Sequence, residues 1–390
     1  MSKQANKGLV PELRFPVYRM RGGDWQEKAL GDVADIITGT TPATANTDYY
    51  GGDRLFITPA DISEGRHVTQ SRTTLTEDGF AQTRHIRENS VLFVCIGSTI
   101  GKVAQNSVDC STNQQINSLV NKPGYSSDFL YSLLECFAPK IAALAGKQAV
   151  PLINKSQFSA IAFPFPSPDE QQEIATCLSS LDALLAAERE RLEALRAHKK
   201  GLMQQLFPAE GATVPALRFP GFGGEWEEKA LRQLFTIGSG KDYKHLGHGT
   251  IPVYGTGGYM LSVDDFLYDG ESACIGRKGT IDKPILLSGK FWTVDTLFYT
   301  HSFKDCSPRF VYLIFQMINW LQYNEAGGVP SLSKTIIEEI RTMVPSADEQ
   351  ERIISCIFSL DDSIKIQAER ITALEEHKKG LLQGLFPSHS

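Results

Sequence analysis

Two stretches of the chain place apolar residues at alternating spacings of four and three. The first runs Ile174, Leu178, Leu181, Leu185, Leu192, Leu195, Leu202, Leu206. The second runs Ile353, Ile357, Leu360, Ile364, Ile371, Leu374, Leu381, Leu385. This is the seam of a heptad helix, sustained for roughly five heptads. Each stretch opens with a Ser and a Glu three residues apart, Ser167 with Glu170 and Ser346 with Glu349, the spacing of a capping box. Pro168 takes the first helical position of the first copy. No Pro or Gly interrupts either stretch until Gly201 or Gly380. Two seam positions are polar in both copies, Glu188 with Gln367 and Lys199 with Lys378. Either the helix drifts and these side chains reach solvent, or they set the register of a helix pair at some cost in stability.

Between the heptad stretches the pattern changes. "SVLFVCIGS" (90–98) and "ESACIGR" (271–277) read as buried strands ending in a glycine turn. "DFLYSLLECFAPKIAALAG" (128–146) and "RFVYLIFQMINWLQYNEAGG" (309–328) read as amphipathic helices, with Pro139 expected to kink or divide the first. Each region is expected to be α+β with its own core.

The chain is a duplication. "PSPDEQ…HKKGLMQQLFP" (166–208) and "PSADEQ…HKKGLLQGLFP" (345–387) match at 23 of 43 positions without a gap, offset by 179. The half openings match as well: "PELRFP" then "GGDWQEKALGD", and "PALRFP" then "GGEWEEKALRQ". Between these ends only "VCIGSTIGK" (94–102) echoes "ACIGRKGTIDK" (273–283). The expected architecture has two α+β globular regions, residues 1–166 and 208–344. They are separated by a pair of long antiparallel coiled-coil helices, residues 167–207 and 345–390, as a pseudo-two-fold internal repeat. The 38 residues from Asp169 to Leu206 span ~57 Å at about 1.5 Å per residue, so the pair is a ruler. Symmetry between halves would also bring the outer ends together as the linker "AEGATV" joins the inner ones, a cyclic arrangement.

Composition narrows the function. No apolar run approaches the ~20 residues of a membrane span, and "MSKQANKGLV" has no apolar leader core. Seven scattered cysteines without a CxxC pair point to a reduced cytoplasm. The net charge of −6 is spread thinly: +1 over 1–168, −2 over 169–206, −2 over 207–345 and −3 over 346–390. A chain gripping DNA alone would carry a basic footprint, so DNA binding here implies local charge or partners.

Catalytic signatures are missing. "TIGSGKD" (236–242) lacks the first Gly and the hydroxyl residue of a phosphate loop. "FPGFG" (219–223) has no companion methyltransferase motif and reads as a linker turn. "EHK" (376–378) lies on the coil without partnering carboxylates, and the eight histidines have no metal spacing. The expectation is no catalytic residue, no metal and no cofactor in this chain.

What remains is hydrogen-bonding surface. The first region offers Thr40, Thr41, Asn46, Arg54, Arg66, Arg72, Arg84, Arg87 and the amides Asn113, Gln114 and Gln115. The second offers Lys241, Tyr243, Lys244, His245, Arg277 and Lys278. Amides can read adenine edges, Arg and Lys can read guanine, and hydroxyls and cations can hold phosphates.

At this point the chain resembles the specificity subunit of type I restriction–modification systems. The resemblance rests on the two "P-S-x-D-E-Q" helix openings running to "LFP", the "LRFP…W…KAL" half openings and "YYGGDRLFITPADIS" (49–63). It implies two target-recognition domains, each reading one half of a bipartite, asymmetric double-stranded DNA site. It implies conserved helices that fix the gap and dock two methyltransferase (modification) subunits, with ATP-dependent restriction subunits beyond them. Catalysis and S-adenosylmethionine would then belong to the partners, in a system for defence against foreign DNA. The alternative is a coiled-coil interaction scaffold that binds proteins rather than DNA. The second region opens "FTIGSGKDYKHLGHG", unlike the first region's "GTTP…YYGG", so contacts are not expected to transfer between regions.

Overall fold

The computed structural model describes residues 10–63, 65–146 and 150–387. Most of the opening segment "MSKQANKGLV" and the tail "SHS" lie outside the described residues. The chain packs as two units: Met1–Glu190 with Ala368–Ser390, and Arg191–Gln367. Each unit takes one globular region and a part of both long helices.

The long helices are Pro168–Leu206 and Ala347–Leu385, 39 residues each. In the first unit Asp182 meets Lys378 at 2.6 Å, Glu188 meets Arg370 at 2.8 Å and Arg189 meets Glu375. Rising numbers on one helix meet falling numbers on the other, so they pair antiparallel. In the second unit Lys199 meets Asp361 at 2.7 Å in the same sense. The seam faces inward. Ile174, Leu178, Leu185, Leu192, Ile353, Ile357 and Ile371 are buried; Leu181, Leu195, Leu360, Ile364 and Leu374 are half-buried. The polar seam positions do not drift into solvent. Glu188, Gln367 and Lys378 are buried, and Lys199 is mostly enclosed. Gly201 and Gly380 stay helical, so the coil does not end there.

Each helix start is a junction. Ser167 Oγ accepts from the Glu170 N–H at 3.4 Å, half of the expected capping box. The other half is replaced: Arg14 of "LRFP" donates to the Glu170 carboxylate at 2.7 and 2.8 Å. Arg218 holds Glu349 identically, at 2.8 and 2.8 Å. The following glutamine ties in a third element. Gln171 accepts from the Ser126 N–H and donates to the Pro166 carbonyl. Gln350 does the same with Ser307 and Pro345. Ser126 and Ser307 cap the helices Ser127–Ala143 and Pro308–Met317. The repeated "D-E-Q" is thus a three-way clasp between half opening, long helix and globular region.

The helix ends exchange partners. The second copy's Phe386 packs against Trp25 and Phe129 in the first unit. The first copy's Phe207 packs against Trp226 and Phe310 in the second. Leu13 N–H donates to the Gly384 carbonyl at 2.8 Å, as Leu217 N–H does to the Gln205 carbonyl at 2.9 Å. The outer ends therefore meet in the first unit as the linker and helix end meet in the second. A Cβ on Gly384 would press on the exposed Leu13 side chain, which would have to move.

Two helices differ from expectation. Pro139 sits inside Ser127–Ala143 without dividing it. The final turn is anchored by Ile141, which is buried in the core beyond the proline. The second helix stops at Met317, because Ile318 turns extended and sends Trp320 into the core, where its indole N–H reaches the Phe315 carbonyl.

In the first unit a five-stranded sheet runs Ala34–Thr38, Ile116–Asn121, Val91–Val94, Val103–Asn106, His67–Val68. A three-stranded sheet runs Thr73–Leu75, Tyr50–Ile57, Cys110–Thr112. The second unit has two four-stranded sheets, one ordered Thr236–Ser239, Leu297–His301, Ser272–Gly276, Ile285–Leu287. The other is ordered Gly258–Val263, His248–Gly255, Lys290–Thr293, Tyr268–Asp269. Both units close the base with a matching two-stranded pair, Gln26–Ala29 with Ala162–Phe165 and Glu227–Ala230 with Arg341–Val344.

Candidate nucleic-acid interface

The units share a framework that sequence comparison misaligns. In the first, Thr38 pairs with Asn117 and Val94 with Ile116. In the second, Ser239 pairs with Phe298 and Gly276 with Leu297. The isolated bridges Ile96 with Leu152 and Lys278 with Ser331 extend the match. Val94 is therefore the counterpart of Gly276, and the "CIG" echo is out of register by three. Gly97 answers to Gly279; their N–H groups donate to the Pro151 and Pro330 carbonyls, each at 2.9 Å.

This framework puts one corner at the same place in both units, just past Thr38 and Ser239. Gly39 and Gly240 follow. A Cβ on Gly39 would overlap the Thr112 and Asn113 carbonyl oxygens, and one on Gly240 those of Thr293 and Val294. Only glycine lets the chain cross so close to the facing turn. The next residue is pinned to that turn: Thr40 N–H donates to the Thr112 carbonyl, Lys241 N–H to the Thr293 carbonyl, each at 2.8 Å.

On the first unit's corner the groups are hydroxyls and amides. Thr41 Oγ donates to Gln114 Oε1 at 2.7 Å, leaving the exposed Gln114 NH₂ outward. Asn113 Nδ2 donates to Gln115 Oε1 at 2.9 Å, and Gln115 Nε2 reaches the Ile96 carbonyl. Arg84 joins the edge by donating to the Thr38 carbonyl at 2.8 Å. The hydroxyls of Thr40, Ser111 and Thr112 are enclosed without a partner among the described residues.

The other candidates of this unit lie elsewhere. Asn46 caps a short turn by accepting from the Asp48 N–H. Arg54 pairs with Glu77 at 2.7 Å and lies over Phe80. Arg87 donates to Asn121, at the far end of the strand that begins beside the corner. Arg72 is exposed. Arg66 is a correction: its side chain is only 5% exposed and is fully engaged internally. It donates to Gln105 at 2.6 Å, Asp128 at 2.6 Å, Ser179 at 2.7 Å and Asp182 at 3.2 Å, over the face of Tyr131 at 4.5 Å. Arg66 fastens the globular region to the long helix and is withdrawn as a DNA contact. Burial and the Arg66 charge lower the pKa of neighbouring His67.

Lys378 completes that cluster, bonding Glu135 and Asp182 at 2.6 Å each. Its counterpart Lys199 bonds Asp361 and the neutral Gln316. Both lysines are internal links within their units and do not reach out into solvent. A cavity of about 810 Å³ opens beside the Lys378 cluster, lined by Arg66, Tyr131, Glu135, Asp182 and Lys379 among others.

The second unit's corner is cationic. Lys241, Lys244 and His245 follow Gly240, and His245 meets the Trp292 ring edge-on at 5.8 Å. Arg277 N–H donates to the Thr296 carbonyl at 2.7 Å, bringing Arg277 and Lys278 to the same turn. A cavity of about 450 Å³ opens there, lined by Tyr243, Lys244, Thr256, Met260 and Asp295 among others. Among the described residues no group of three or more His, Cys, Asp or Glu side chains could hold a metal. None of the described helices is long and apolar enough to cross a membrane.

Comparison with known proteins agrees with this duplicated framework. A family model described as the type I restriction modification DNA specificity domain matches twice, at residues 22–197 and 223–376. The chain is similar to the type I restriction enzyme MjaIX specificity subunit of Methanocaldococcus jannaschii, 30% identical over 93% of this chain and 92% of that one. It is also similar to the EcoprrI specificity subunit of Escherichia coli, 22% identical over 90% and 91%. In fold it is similar to a type I restriction–modification S subunit from M. genitalium, with a TM-score of 0.67 and 19% identity over 98% of this chain and all of that one. With two matching domains and a relative of this identity across nearly the full length, the chain belongs to the type I restriction–modification DNA specificity family.

Proposed function

We propose that this chain is the sequence-reading subunit of a type I restriction–modification complex. Each globular region reads one half of a bipartite DNA site through the corner past Gly39 or Gly240. One observation carries the reading: a matching strand-and-turn framework holds two corners of different chemistry, mainly amides and hydroxyls with Arg84 at the edge in one, and mainly lysines and an arginine in the other. A repeated scaffold with divergent polar corners suits two different half-sites, and hence an asymmetric target. The long helices set the gap and present a surface to two methyltransferase subunits, which carry S-adenosylmethionine and the chemistry. ATP-dependent restriction subunits join the same assembly, and the complex works in the cytoplasm on double-stranded DNA. The chain's low charge fits partners that supply much of the phosphate grip.

The test is retention of duplex DNA by the chain assembled with its methyltransferase subunits. Selective, methylatable binding of one bipartite sequence is expected. Stable assembly without sequence selectivity would favour the protein scaffold instead. Adding seven residues to each long helix adds ~10 Å of helix, and the gap should widen by about three base pairs.

A further inference from the structure

The second unit's corner holds four cations, Lys241, Lys244, Arg277 and Lys278, that form no ion pair among the described residues, with Asp242 and Asp295 lining the same cavity. Elsewhere in this unit Lys199, Arg218, Arg232, Arg309 and Arg341 each have one. The backbone beneath the unpaired cations is fixed. Lys241 accepts from Trp292 Nε1 and donates to the Thr293 carbonyl, each at 2.8 Å. Arg277 is held on both sides: its N–H by the Thr296 carbonyl at 2.7 Å, its carbonyl by the Leu332 N–H at 2.9 Å. Its guanidinium lies 5.9 Å from the Phe298 ring centroid. Arg277 is half-buried while Lys241, Lys244 and Lys278 are exposed. The matching positions of the first unit carry no charge: Thr40 for Lys241, Cys95 for Arg277 and Ile96 for Lys278.

We infer that Arg277 reads a guanine in the second half-site, with Lys241 and Lys278 on the flanking phosphates. The planar fork of an arginine matches guanine O6 and N7, and an aromatic ring beneath it restricts the plane of the fork before DNA arrives. Exposed, flexible lysines on either side suit phosphate oxygens, which need charge and little direction. The inference rests on the DNA-reading function proposed above.

The experiment uses the full chain assembled with its methyltransferase subunits. Its probes are the target duplex obtained by methylation mapping and duplexes with each base pair of the second half-site replaced in turn. The second half-site should contain a guanine whose replacement weakens wild-type binding roughly 10- to 100-fold. Arg277→Ala should bind the target and that one replaced duplex equally, while still discriminating at every other position. Lys278→Ala should weaken all duplexes by a common factor and reduce the salt dependence by about one phosphate contact. Arg277→Ala should melt close to the wild type, because its side chain makes no hydrogen bond or ion pair within the described residues and loses only its contact with the Phe298 ring. A second half-site without guanine, or a uniform loss in Arg277→Ala with discrimination intact, overturns the inference. Failure of the DNA-reading proposal looks different: the wild-type complex would show no sequence selectivity at all.

Discussion

Replacing Arg14 with Met tests the clasp that joins half opening, long helix and globular region. The Arg14 side chain is 9% exposed and that of Glu170 is 2% exposed. Two charge-assisted hydrogen bonds link them, at 2.7 and 2.8 Å. The Met side chain fills much of the same volume, so the lost term is electrostatic. It strands a buried carboxylate, and breaking one side of a buried pair costs about 3–5 kcal/mol. Residual exposure of the arginine argues for the lower end, about 3 kcal/mol. For a unit of about 200 residues this lowers the melting temperature by about 6–12 °C. The double variant Arg14→Met with Glu170→Met removes the stranded charge and should recover to within about 1 kcal/mol of wild type. Calorimetry of the three variants beside wild type reads the cycle. A loss below about 0.5 kcal/mol in Arg14→Met, or a double variant as unstable as the sum of the singles, would refute the clasp.

Three further outcomes follow from the packing. Lys378→Met should destabilise more than Lys199→Met, by about 1–2 kcal/mol in denaturant melts. The first removes the cation shared by Glu135 and Asp182 in an enclosed site, leaving Glu135 only the Tyr131 hydroxyl and Asp182 only Arg66 at 3.2 Å, and the second affects only Asp361, beside a neutral Gln316. Leu178→Ala should cost about 2–5 kcal/mol, because Leu178 is fully buried where the long helix meets the first unit's core. Alkylation of the native chain followed by peptide mapping should modify the half-buried Cys177 and Cys356 first. Burial pushes Cys95, Cys110, Cys274 and Cys306 up to about 12, so they stay protonated and enclosed. Equal labelling of Cys274 would contradict that core.

The sequence carried the repeat, the heptad seam and the matching junctions at the helix ends because those features rest on local periodicity and on near-identical words. It carried less where a side chain answers to distant partners. Glu170 reads as half of a capping box, yet Arg14, far upstream, captures its carboxylate. Arg66 stands in a basic-looking stretch, but the fold folds it inward against Asp128 and Asp182. Lys199 and Lys378 look like breaks in the seam and are instead its links to Gln316 and Glu135. The corner past Gly39 and Gly240 was legible only as loose polar composition. Its signal is a glycine at a sheet edge, which gains meaning once the carbonyls of the facing turn are seen beside it. The three-residue slip in the "CIG" echo has a similar origin: hydrophobic strands match by composition, while hydrogen-bond register decides which residues are equivalent.

The central claim is that two corners on one repeated framework read two different half-sites. Genome-wide methylation mapping with and without this chain tests it, extended by exchanging residues 12–165 for those of another family member. The account predicts one bipartite, asymmetric motif that vanishes without the chain and changes in one half only after the exchange. Methylation that persists without the chain, or an exchange that alters both halves or neither, would contradict it.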